Sequence, residues 1–86
     1  MKNLIINFNN GFTTEVEVKD LNEAKEIAED KMSYTQQNVN IETEDGEVLA
    51  VSRWYGYQAT EEEKEEGIVL EEFGSSGFYA IWEEEF

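Results

Sequence analysis

The run Leu4-Ile5-Ile6-Asn7-Phe8-Asn9-Asn10-Gly11-Phe12-Thr13-Thr14-Glu15-Val16-Glu17-Val18 alternates apolar and polar side chains on both sides of an Asn-Asn-Gly turn. A period of two puts Leu4, Ile6 and Phe8 on one strand face and Asn3, Ile5 and Asn7 on the other. Asn and Gly tolerate the positive φ that a tight hairpin needs. The return strand sets Phe12, Thr14, Val16 and Val18 against Thr13, Glu15 and Glu17. The first unit is therefore a half-buried antiparallel hairpin, and later segments must cover its apolar face.

Asp20 is placed to cap a helix, with Glu23 three residues on at capping-box spacing. Leu21, Ala24, Ile27, Ala28, Lys31 and Met32 share one helical stripe. The pattern predicts a helix over about 20–35, with Lys31 snorkelling to its edge and an end near Tyr34 or Thr35. Val39, Ile41 and Thr43 then alternate with Asn40, Glu42 and Glu44, and Asp45-Gly46 forms a second hairpin turn. Residues 48–57 are apolar on both faces, as in an inner strand. An acidic loop over about 59–67 has no apolar stripe; it is either loose or one exposed helical turn capped by Thr60. Two further strands, 68–73 and 78–84, are joined by the flexible stretch Gly74-Ser75-Ser76-Gly77.

The order ββαββ(loop)ββ predicts a single α+β domain spanning 1–86. It would be an antiparallel sheet of about five to six strands with one helix packed on one face. One such helix can hardly cover six strands. The remainder must curl on itself, take the acidic loop as a lid, or meet another chain.

Composition restricts the chemistry. The chain has no His and no Cys, which removes the commonest general base, metal ligand and thiol nucleophile. None of the serines (Ser33, Ser52, Ser75 and Ser76) lies in a nucleophile elbow. The expectation is that the chain is not an enzyme and takes no cofactor. Glu42, Glu44, Asp45 and Glu47 crowd one turn but lack the alternating spacing of a calcium loop, so dedicated metal binding is a minor reading. No run approaches the roughly 20 apolar residues of a membrane span. The formal charge of −15 disfavours direct contact with nucleic acid or anionic lipid. The cytoplasm is the expected compartment, a host's if the chain is phage-encoded.

What remains is the charge itself and the aromatics. Up to residue 41 seven acids face four bases; after it fourteen face two. Alternate residues on a strand lie about 6.6–6.8 Å apart, close to the spacing of successive phosphates along a nucleic-acid backbone. Glu15 with Glu17, and Glu42 with Glu44, share strand faces in this way, as do Glu83 and Glu85 if the last strand reaches them. The expected partner-binding acids are Glu42, Glu44, Asp45, Glu47, Glu61, Glu62, Glu63, Glu65, Glu66, Glu71, Glu72, Glu83, Glu84 and Glu85. Arg53-Trp54-Tyr55-Gly56-Tyr57 adds the side chains most enriched at binding hot spots. Trp54 is assigned to the core, whereas Tyr55, Tyr57 and Tyr79 are the candidate exposed anchors. Phe86 is either a loose end or a docking residue.

In size, acidity and lack of cysteine the chain is similar to small phage-encoded anti-CRISPR and anti-restriction proteins that mimic DNA. The likeness is one of composition; no motif is shared residue by residue. The leading expectation is an acidic protein that inhibits or regulates a basic, nucleic-acid-binding partner by offering it a phosphate-like surface, of DNA or RNA type. The alternative is a structural or interaction module that self-associates, as a homodimer, or docks a protein through an uncovered sheet face.

Overall fold

A computed structural model describes residues 1–32 and 35–84. The fold is α+β with antiparallel pairing throughout, as the sequence pattern predicts, but the strands form two sheets. The first contains β1 (Lys2–Asn7), β2 (Thr13–Val18), β3 (Val39–Thr43) and β4 (Val48–Ser52) in the order β2-β1-β3-β4. The second contains β5 (Trp54–Tyr55), β6 (Val69–Glu72) and β7 (Phe78–Ala80) in the order β5-β7-β6. Helix α1 (Leu21–Lys31) covers the first sheet, and a short helix α2 (Glu61–Glu65) replaces the acidic loop.

The hairpin forms where it is expected, with Leu4 opposite Val16 and Ile6 opposite Thr14. Asn9 and Gly11 take positive φ in its turn. Its apolar face packs Leu4, Ile6, Phe8 and Val18 beneath Ala24 and Ala28 of α1, all buried. Two alanines on the packing stripe let the helix axis lie close to the sheet. Asp20 Oδ1 accepts from the Glu23 backbone N–H at 2.9 Å, the cap read from the sequence.

The helix ends four residues short of the expected 35. Met32 is its C-cap, and its carbonyl accepts from the Thr35 N–H at 3.1 Å and the Tyr79 hydroxyl at 3.0 Å. These bonds satisfy a terminal carbonyl that a longer helix would satisfy itself. Lys31 is exposed and has no need to snorkel. Ser33 and Tyr34 lie outside the described residues.

The predicted strand over 48–57 breaks at Arg53. Asn38 Oδ1 accepts the Trp54 N–H at 2.8 Å, at the point where β3 begins, so the chain runs out of first-sheet partner. It changes sheets there, with Trp54 opposite Tyr79 and Tyr55 opposite Phe78. The predicted strand over 78–84 also stops early, at Ala80. Glu83 then returns to the edge of β4 through two backbone bonds with Val51, at 2.9 and 3.0 Å. Buried Ser52 donates to the Ala80 carbonyl at 3.0 Å and ties the sheets together.

Tyr79 is the main correction to the aromatic assignment. It is fully buried and therefore cannot anchor a partner. β7 is the middle strand of its sheet and is covered on both faces. Trp54 and Phe73 pack on Tyr79 with ring centroids 4.8 and 6.1 Å away, and its hydroxyl lies 2.7 Å from Thr35 Oγ1. Tyr79→Phe keeps the ring and removes the hydroxyl. The expected cost is about 1–2 kcal/mol, hence a melting temperature lower by about 5–10 °C by circular dichroism. An unchanged melting temperature would mean that the hydroxyl does not tie α1 to β7.

Candidate binding surface

The acidic stretch is ordered by its own first residues. Thr60 Oγ1 accepts from the Glu63 N–H at 3.1 Å, and Glu63 Oε1 accepts from the Thr60 N–H at 2.9 Å. This reciprocal capping box starts α2 without any buried apolar face. Glu63 has a second role: its Oε2 accepts from the Tyr57 hydroxyl at 3.0 Å. The Thr60 N–H, and after it the Tyr57 hydroxyl, hold the Glu63 carboxyl below its ordinary value of 4.5. The Glu63 carboxylate in turn raises the Tyr57 phenol.

Tyr57 is 49% exposed. Its ring stands edge-on to Phe78 at 5.6 Å and to Tyr55 at 5.9 Å, and Tyr55 stacks on Phe78 at 5.2 Å. The outer face of the second sheet is thus an aromatic platform, with Phe78 buried beneath two tyrosines. The Tyr57–Glu63 bond joins that platform to α2, where Glu61, Glu62, Glu65 and Glu66 are exposed. Two of the three candidate tyrosines therefore share one surface, and the Glu63 carboxylate links it to the acidic run. Trp54 is half-buried and turns to Tyr79 and Phe73, on the core side.

The other candidate acids are dispersed. Glu44, Asp45 and Glu47 lie exposed on the β3–β4 turn. Glu42 lies on the helix-free face of the first sheet, where it accepts from Asn7 Nδ2 at 3.1 Å and Asn40 Nδ2 at 3.5 Å. Glu15 joins it there, both being opposite Ile5, and Glu17 is opposite Asn3. Glu72 holds Lys64 at 3.1 Å, Glu83 holds Arg53 at 2.9 Å and Glu84 holds Lys25 at 3.0 Å. Bases on distant segments thus neutralise these three, which subtracts them from the expected phosphate-like array. Glu85 and Phe86 lie outside the described residues.

Glu71 is half-buried and lies opposite the buried Tyr79, a placement that strand alternation alone does not reveal. Its charge bears on Glu29 of α1, beside Trp82. Among the described residues the buried Trp82 Nε1 makes no hydrogen bond of full geometry, and its N–H only partly offsets the burial of the Glu29 carboxylate. Burial first, then the charges of Glu71, Glu26 and Asp30, hold Glu29 above 4.5.

A carboxyl raised by folding contributes stability below its unfolded value, and that contribution is lost as the pH rises through the folded one. Glu29→Gln keeps an acceptor for the indole and removes the charge. After solvent screening it should stabilise by a few tenths of a kcal/mol at pH 7, about 1–3 °C in melting temperature, with no gain near pH 4. Melts of both proteins at the two pH values test this; an equal effect at both would exclude the Glu29 charge as the cause.

Among the described residues the surface holds no cavity, and no three carboxylates converge as metal ligands do. Comparison with known proteins finds no family model, no curated protein and no solved structure that matches the chain.

Proposed function

We propose that this chain is a non-enzymatic acidic binding protein that inhibits or regulates a basic, nucleic-acid-binding protein by occupying its nucleic-acid groove. One observation carries the reading: the Tyr57–Glu63 bond joins the Tyr55–Tyr57 platform to α2, a segment on which Glu61, Glu62, Glu65 and Glu66 are all exposed. Were every one of the six bases to pair with an acid, fifteen carboxylates would still lack a base. Unneutralised charge of one sign opposes folding and speeds association with the opposite sign. An Arg or Lys that grips phosphate finds here a carboxylate for its charge and a tyrosine face for its stem or guanidinium.

DNA or RNA mimicry of the anti-restriction or anti-CRISPR kind is the form this reading takes. The partner would be met in the cytoplasm. No helix among the described residues is long and apolar enough to cross a membrane. Self-association through the uncovered sheet face has less support, because that face carries Glu15, Glu17, Glu42, Asn7 and Asn40 around Ile5.

The test is capture of partners from lysate at 100 and 500 mM salt, identification by mass spectrometry, then competition with the partner's own DNA or RNA. A basic partner captured at low salt, released at high salt and displaced by nucleic acid is the expected result. A partner held equally at both salts would overturn the electrostatic mechanism.

A further inference from the structure

We infer that the free edge of β2 is a docking site for an extended basic segment of a partner, which adds to the first sheet as a fifth strand. β2 is the outermost strand of the order β2-β1-β3-β4. The Phe8 N–H donates to the Phe12 carbonyl at 3.1 Å, which sets the alternation of the hairpin ladder. Thr14, Val16 and Val18 therefore direct their backbone groups to β1. Thr13, Glu15 and Glu17 direct theirs outward, where no strand pairs with them among the described residues.

The side chains along this edge select the occupant. Glu15 and Glu17 project from the helix-free face, exposed and two residues apart. In an antiparallel pair of two copies of β2 centred on Val16, Glu15 of each copy would lie opposite Glu17 of the other. Like charges directly opposite are destabilising, so the edge rejects its own copy. The same two carboxylates favour an incoming strand with Lys or Arg at every second position. Between them Val16 is half-buried on the opposite face and accepts an apolar or threonine side chain. The mode is strand addition, with affinity from the backbone and selectivity from alternate side chains.

The inference rests on the proposed reading only in taking the partner to be basic, and its probe needs no partner. A blocked synthetic peptide with lysine at every second position and threonine between is added to the full chain, and amide exchange is followed by NMR. The Thr13, Glu15 and Glu17 amides should slow by about tenfold or more, while Thr14 and Val16, already bonded, should not change. The same peptide N-methylated at its pairing amides should bind about tenfold more weakly or worse. Glu15→Gln with Glu17→Gln should weaken the unmethylated peptide by about three- to fivefold. Equal binding of the N-methylated peptide, protection centred on α2, or no slowing at millimolar peptide would each overturn strand addition. None of these outcomes bears on capture of a nucleic-acid-binding partner, so the two proposals fail separately.

Discussion

Replacing Gly77 with alanine is expected to unfold the domain at 37 °C or to lower its melting temperature by about 15–30 °C. Gly77 has φ 142° and ψ −170°, a region open essentially to glycine alone. A Cβ there would fall on the Tyr55 carbonyl oxygen and lie 2.5 Å from Trp54 Cζ2. The neighbours cannot yield. Tyr55 is pinned in the β5–β7 ladder, and the Trp54 ring is held between Tyr79 and Phe73 at 4.8 and 6.0 Å. Backbone strain of about 1–3 kcal/mol adds to an overpacking cost of about 1–3 kcal/mol. A domain of this size has only about 4–13 kcal/mol to lose. Gly74→Ala is the control: its φ is +62° but a Cβ there meets nothing within 4 Å, so it should cost only about 1–2 kcal/mol. Thermal melts of the two variants decide the matter. Equal and small effects would show that Trp54 is not clamped over Gly77.

Neutralising the exposed acids of α2, Glu61, Glu62, Glu65 and Glu66 to Gln together, should weaken binding to a basic partner by about 10- to 100-fold at 100 mM salt. Four rim charges at about 0.35–0.7 kcal/mol each give that range. The loss should lie mainly in the association rate and shrink at 500 mM salt. Glu63 is left in place because its carboxylate closes the capping box and holds Tyr57. The fold should survive. Glu61 and Glu62 favour the N-terminal end of the helix dipole and Glu65 and Glu66 oppose its C-terminal end, so the changes nearly cancel and the melting temperature should stay within about 3 °C. Surface plasmon resonance against the captured partner, beside a thermal melt, separates binding from folding. Unchanged association rates in a folded variant would show that the acidic run serves solubility alone.

Much of the local structure was legible because its causes are local. Asn9-Asn10-Gly11 and Asp45-Gly46 mark their turns, Asp20 caps α1, and Thr60 offered a cap for one of the two forms open to the acidic stretch. The acids of α2 and of the β3–β4 turn were legible as exposed for the same reason. The partners of other acids were not. Lys25–Glu84, Arg53–Glu83 and Lys64–Glu72 join segments that sequence distance keeps apart. Glu29 and Trp82 gave no signal at all, since a half-buried carboxylate on a helix looks like any solvated one until β6 and the C-terminal segment pack beside it.

The amino-acid sequence by itself determined the α+β class, the hairpins, the start of α1 and the charge of −15, because turn chemistry, capping and side-chain period act within a few residues. Tertiary structure alone decided that the strands split into two sheets, that α1 stops at Lys31, that Gly77 lies against the Trp54 ring and that Tyr79 is core while Tyr57 is surface. Each of those turns on a contact between distant residues: Asn38 with Trp54, Met32 with Tyr79, Trp54 over Gly77. Alternation says that a strand has two faces; only packing says whether one of them or both are covered.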